Sequence, residues 1–187
     1  MREDLLILNS IMKKIFLLSF ILVLNSCKNG VKPVVTSTTE KSTNIQIKTI
    51  KYDGLELLLN QKDDKTYVVN FWATWCKPCV KELPAFEQLY KNYKNQHVEL
   101  ILVSLDFPNQ IENRVIPFIK KNNLKGSVVL MANPDQNTWI PKVSKEWSGA
   151  IPATVIYNKN ARKFYEQSFS YKELETELIK ILKTTKL

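Results

Sequence analysis

The sequence predicts a layered α/β domain with a mixed central sheet flanked by helices, and three observations carry that expectation. Short β-branched and aromatic runs alternate with stretches of helical period. A hairpin and a capped helix close the chain after the last alternation. Hydrophobic residues make up 44% of the 187, enough for one core of single-domain size without help from disulfides or metals.

Each element has its own signal. IQIKTI at 45–50 alternates apolar and polar residues as a half-buried strand does, and Tyr52-Asp53-Gly54 then turns the chain into the short helical stretch LELLLNQ at 55–61. YVVNFW at 67–72 is a β-branched and aromatic run of central-strand type. From Cys79 the apolar positions Leu83, Phe86, Tyr90 and Tyr93 recur at spacings of four, three, four and three, one face of an amphipathic helix. VELILVSLD at 98–106 is a second buried strand, IENRVIPFIKKNN at 111–123 a helix broken or bent near Pro117, and SVVLM at 127–131 a third strand. Residues 138–147 are irregular or helical, with Pro141 limiting helix length. TVIY at 154–157 and RKFYEQ at 162–167 flank Asn158-Lys159-Asn160-Ala161 as a hairpin. The final helix opens at Ser170 with Glu173 three residues on, a capping box, and sets Tyr171, Leu174, Leu178, Ile181 and Leu182 on one side.

Ahead of this domain, Met12-Lys13-Lys14 precedes the apolar run IFLLSFILVL at 15–24 and then Asn25-Ser26-Cys27, the plan of a signal peptide. The run is about half of the roughly 20 residues that span a bilayer as a helix. LNSC at 24–27 resembles the bacterial lipobox, in which a peptidase cuts before a cysteine that then carries lipid; Asn25 stands where a small or apolar residue is usual. The expectation is a signal peptide over 1–27 ending at a lipidated Cys27, the alternative being an ordinary cleaved signal with an incidental cysteine. Glu3 and Asp4 lie ahead of the lysine pair, where a signal n-region does not want acids, so Met12 is read as the true start. Residues 28–44, KNGVKPVVTSTTEKSTN, have no period that buries a face and read as a flexible tether to a domain over 45–187. The implied location is the cell envelope, on the periplasmic side, held to a membrane by the lipid.

The net charge is +9, and losing residues 1–26 removes Arg2, Lys13 and Lys14 with Glu3 and Asp4, which lowers it by one. The charge is diffuse and suits solubility. No Lys/Arg block is interleaved with aromatics, so no nucleic-acid partner is expected.

If Cys27 carries lipid, Cys76 and Cys79 are the remaining cysteines. A disulfide ring that short removes little entropy from the unfolded chain and would be a poor staple. A zinc site needs four ligands, whereas CxxC supplies two and His97 is the single histidine, so neither a metal nor any cofactor beyond the pair itself is expected. Redox work fits better, because the thiolate is the attacking species and a helix N-terminus stabilises it. Cys76, where strand gives way to helix, is expected to be the exposed nucleophile. Cys79, on the apolar helix face, is expected to be the sheltered resolving thiol.

FWATWCKPC at 71–79 resembles the active-site segment of the thioredoxin superfamily. The longer VNFWATWCKPCVKELP at 69–84, with Glu82 three residues past the second cysteine and Pro84 two beyond it, is similar to the membrane-tethered TlpA/ResA group of thiol-disulfide oxidoreductases. The resemblance implies a thioredoxin-like fold from about residue 45 onward, with a helix-strand insertion at 111–131 before a cis-proline loop. Gly149-Ala150-Ile151-Pro152 matches that loop in place. A cis bond there leaves the preceding backbone free to pair with an extended substrate, which makes Ile151 and Pro152 substrate-binding residues. Trp75 is expected to shield the disulfide and join the docking surface, while Lys77 and Pro78 tune the redox potential. Typical thioredoxins carry a buried Asp in the strand before the motif, and this chain has Asn70. Glu82 then becomes the candidate proton partner of Cys79, against the alternative of a solvated surface acid near Lys81.

Together these readings imply an exported thiol-disulfide oxidoreductase, foremost a reductase of disulfides in exported proteins and, by resemblance, of apocytochrome c. Its electrons would come from a membrane thiol donor. The alternatives are a net oxidase or isomerase, or a non-catalytic thioredoxin-fold binding module. A peroxidase would want a Thr three residues before its reactive cysteine, where Ala73 stands.

Overall fold

Strand β2 (Thr66–Trp72) is buried along all 7 residues, which requires cover on both faces of the sheet around it. This holds in a computed structural model that describes residues 45–184 apart from Pro134. The expected signal peptide, Cys27 and tether lie outside the described residues. The other strands are β1 (Lys48–Ile50), β3 (Val98–Ser104), β4 (Ser127–Met131), β5 (Ala153–Tyr157) and β6 (Arg162–Tyr165). Their order across the sheet is β1-β4-β3-β2-β5-β6. The first four run parallel, β5 runs antiparallel to β2, and β6 turns back antiparallel to β5, giving the expected mixed sheet.

Five helices supply the cover: α1 (Tyr52–Leu59), α2 (Lys77–Tyr93), α3 (Ile116–Asn122), α4 (Gln136–Val143) and α5 (Tyr171–Lys183). The two-residue period of β2 decides which side chain meets which layer. Tyr67, Val69 and Phe71 enter a core with Leu55 and Leu59 of α1 and Trp139 and Ile140 of α4. Val68 and Trp72 enter the opposite core with Leu83 and Phe86 of α2 and Leu174 and Leu178 of α5. Asn70, of the same parity as Val68 and Trp72, therefore faces α2. That single consequence of pleating shapes the site described below.

Several boundaries differ from the sequence reading, each for a physical reason. Residues 45–47 extend no ladder: β1 pairs with β4 only through Lys48, Thr49 and Ile50. Their alternation instead seats Ile45 and Ile47 against Val115, Ile119 and Leu130. Tyr52 and Gly54 lie inside α1 rather than in a turn before it. Near Pro117 the helical stretch is divided, the first of the two expected outcomes, and Pro117 sits in the first turn of α3, where its missing N–H costs little. Before it, a π-helical turn spans Ile111–Val115, and the N–H of Ile116 reaches back to the Ile111 carbonyl. On α2 the fully buried positions are Cys79, Glu82, Leu83, Phe86 and Leu89, while Tyr90 and Tyr93 are only half-buried. The helix at Gln136–Val143 ends two residues beyond Pro141. β6 stops at Tyr165, two residues short of the expected end.

α5 has the expected capping box, with the Ser170 side chain accepting from the Glu173 N–H and the Glu173 carboxylate accepting from the Ser170 N–H. Arg162 of β6 donates to the carbonyls of Leu59 and Val143, placing one cation at the C-termini of both α1 and α4.

Candidate functional site

The parallel strands β2 and β3 end at the same edge of the sheet, and the chain leaves β2 there through Ala73, Thr74 and Trp75 into α2. Cys76 is the N-cap of α2, with extended backbone (φ −85°, ψ 99°), and its Sγ accepts the Cys79 N–H at 3.3 Å. Cys76 and Cys79 form a disulfide with Cα atoms 5.3 Å apart. The sulfur of Cys76 thus sits where the free N–H groups and partial positive charge of a 17-residue helix converge. Pro78 fills the first turn and Lys77 is exposed at its start.

Opposite the disulfide lies the loop before β5. The Ile151–Pro152 peptide is cis, and the Cys76 Sγ lies 3.7 Å from the Ile151 carbonyl oxygen. With no S–H in the disulfide, this is a contact and not a hydrogen bond. It also accounts for a correction: Cys76 is only 6% exposed rather than an open thiol, because its sulfur is bonded to the fully buried Cys79 and covered by this loop. Trp75, next to Cys76 in the chain, is 51% exposed. Pro152 is buried and Ile151 half-buried.

Beneath the pair, Glu82 is a buried carboxylate, 4% exposed, and not a surface acid. Its Oε1 accepts from Asn70 Nδ2 at 2.9 Å and its Oε2 from the Phe169 N–H at 2.8 Å. No cation lies among its hydrogen-bond partners, and burial pushes its carboxyl up to about 7, against the two hydrogen bonds that favour the charged form. Asn70 Nδ2 also donates to Thr154 Oγ1 at 3.2 Å, while its Oδ1 is buried without a partner among the described residues. Glu82 lines a cleft of about 560 Å³ with Pro78, Lys81, Ser168 and Phe169. Glu82 and Cys79, three residues apart on α2, are neighbours on one face.

Sequence reasoning missed two supports of this site. Asp106, 2% exposed just past β3, accepts from the Thr74 N–H at 3.0 Å, from the Thr74 hydroxyl and from the Ser104 hydroxyl at 2.8 Å. It pins the turn that delivers Trp75 and Cys76. Glu166 takes up the loop before Ile151 through Ser148 and Ala150. Neither role has a local signal, because Thr74 lies 32 residues from Asp106 and the loop partners of Glu166 lie 16 to 18 residues away in sequence. Among the described residues no three His, Cys, Asp or Glu side chains converge to hold a metal, and no helix is long and apolar enough to cross a membrane.

Comparison with known proteins gives three findings. A family model described as the AhpC/TSA family matches residues 39–162. The chain is 33% identical over 111 residues to a thiol-disulfide oxidoreductase ResA of Bacillus cereus, covering 59% of this chain and 58% of that one. It is 38% identical over 78 residues to the sporulation thiol-disulfide oxidoreductase A of Bacillus subtilis (strain 168), covering 42% of this chain and 47% of that one. The chain therefore spans about half the length of these relatives. Among solved structures, a thiol:disulfide interchange protein of the thioredoxin family from Chlorobium tepidum TLS superposes with a TM-score of 0.54 at 23% identity, over 64% of this chain and 81% of that one. That likeness is one of fold.

Proposed function

The chain belongs to the AhpC/TSA family, and from that premise we propose that it is an exported thiol-disulfide oxidoreductase that reduces disulfides in exported proteins. One observation carries the reading: a disulfide caps a long helix, faces the Ile151 carbonyl across a cis-proline loop, and has a buried carboxylate behind it. Relatives named thiol-disulfide oxidoreductases support it.

In the reduced protein the Cys76 thiolate, stabilised at the α2 N-terminus, attacks one sulfur of a substrate disulfide. The substrate S–S bond breaks, its second sulfur leaves as a thiolate that takes a proton, and a mixed disulfide joins Cys76 to the substrate. Glu82 accepts the proton of the Cys79 thiol, directly or through one water. The Cys79 thiolate then attacks Cys76 Sγ and releases the remaining substrate sulfur. Two electrons have passed to the substrate, and Cys76–Cys79 is oxidised. A membrane-embedded dithiol donor restores the pair, and resemblance points to apocytochrome c among the substrates. Residues 1–27 serve export and lipid attachment at Cys27, which keeps the domain on the periplasmic side of a membrane.

Trp75, Ile151 and Pro152 receive the substrate, with Lys77 and Pro78 setting the reactivity of the pair. The reading is tested by reduction of insulin disulfides with dithiothreitol as donor. The full chain accelerates the reaction, Cys76→Ser abolishes it, and Cys79→Ser accumulates a mixed disulfide. Acceleration that survives in Cys76→Ser, or none in the unmodified chain, defeats the proposal.

A further inference from the structure

The loop that faces the disulfide is held by a carboxylate that the chemistry above does not use. Glu166, just past β6, accepts the Ser148 N–H at 3.0 Å through Oε2 and the Ala150 N–H at 3.2 Å through Oε1; the Ser148 hydroxyl donates to the same Oε1 and its oxygen shares the Ala150 N–H at 3.3 Å. These donors hold its carboxyl below the usual carboxylate range, the Ser148 hydroxyl contributing most. From the other side the Trp147 indole N–H donates to the Ala150 carbonyl at 2.8 Å. Trp147 is itself fixed among Phe71, Trp139 and Phe164. Both main-chain groups of Ala150 are thereby occupied.

The neighbours of Ala150 limit the loop further. Gly149 has φ +96°, a left-handed conformation that ends any extended run on that side. Pro152 has no N–H to offer. Ile151 remains, half-buried, with its N–H meeting no acceptor among the described residues and its carbonyl beside the Cys76 sulfur.

We propose that Glu166 is a positioning residue for protein substrates: with Ser148 and Trp147 it closes Ala150 to pairing, and by tying that loop to β6 it holds Ile151 as the one residue whose main chain receives an extended, cystine-bearing segment. This rests on the function proposed above and specifies how its substrate docks. A substrate pairs over a single residue next to its disulfide, so recognition tolerates sequence but depends on a loop ordered in advance. Freeing the loop charges each docking event with that ordering. A small disulfide that makes no main-chain pairing does not notice the change.

The test compares the full chain with Glu166→Ala and Glu166→Gln on two oxidants of the reduced pair, insulin and dipyridyl disulfide. In Glu166→Ala the KM for insulin rises roughly tenfold at unchanged kcat, the scale of one lost hydrogen bond, while the rate with dipyridyl disulfide stays at the unmodified value. Glu166→Gln keeps one carbonyl oxygen for Ala150 and shows a KM raised only about threefold. Equal losses on both oxidants, or an unchanged KM for insulin, overturn the proposal. Should Glu166→Ala fail to fold, Glu166→Gln decides alone, an unchanged KM overturning it. An unmodified chain inert toward both oxidants overturns the functional reading and the docking proposal with it. An unmodified chain active on both, beside variants indistinguishable from it, overturns the docking proposal only.

Discussion

Glu82 is a buried acid whose hydrogen bonds do not compensate for the loss of water. Its pKa is raised from 4.5 to about 7, so the folded chain holds a proton that the unfolded chain releases. The stability this contributes is complete below about pH 4.5 and is lost as pH rises through about 7. The full loss is roughly 3 kcal/mol. Glu82→Gln removes the titration, and rotation of the Asn70 amide would bring the unpartnered Asn70 Oδ1 to the new amide as an acceptor. Urea unfolding at about pH 5 and about pH 8 should therefore show a stability loss in the unmodified chain that is smaller by roughly 2.5 kcal/mol in the variant, the remainder falling below about pH 5. The same substitution should slow resolution of the mixed disulfide about a hundredfold, the scale of a lost proton acceptor. It should also erase a rate dependence centred near pH 7. Equal pH slopes of stability in the two proteins would place the proton elsewhere.

At the scale of elements, the site depends on how β3 is tied to the turn ahead of α2. The Leu105 N–H donates to the Trp72 carbonyl at 2.8 Å, and Asp106 takes the N–H and hydroxyl of Thr74. An amide has one acceptor oxygen where the carboxylate has two, and its NH₂ would confront the Thr74 and Ser104 donors. Asp106→Asn should lower stability by about 2–3 kcal/mol, read from chemical denaturation of the oxidised chain. It should also expose Cys76 to alkylation faster in the reduced protein as the turn loosens. A loss under about 0.5 kcal/mol, typical of a surface change, would show that the turn holds without this carboxylate.

Over the whole molecule, the alternation of strands and helices was legible because each element announces itself within ten residues or so. The runs at 67–72 and 98–106 became β2 and β3, and Ser170 with Glu173 became the cap of α5. What stayed hidden depends on pairs distant in sequence. The loss of strand at 45–47 follows from where β4 lies, and the widened turn before Pro117 from how a short helix meets a small core. Within the site, CxxC and Glu82 could be read from spacing on one helix. The cover over Cys76, the pinning by Asp106 and the loop clamp by Glu166 require β2, β3 and the β5–β6 hairpin to be assembled first. The alternating parity of β2, which turns Asn70 toward α2, joins the two scales: a strand pattern plain in sequence sets the hydrogen bond that holds Glu82.

The central claim is that Cys76–Cys79 is a working couple poised to reduce exported proteins. Its equilibrium reduction potential, titrated in the full chain against dithiothreitol and glutathione, tests that most directly. We expect a value near that of thioredoxin, about −270 mV. A value near the roughly −120 mV of a strong oxidant would contradict the account and make the protein a donor of disulfides.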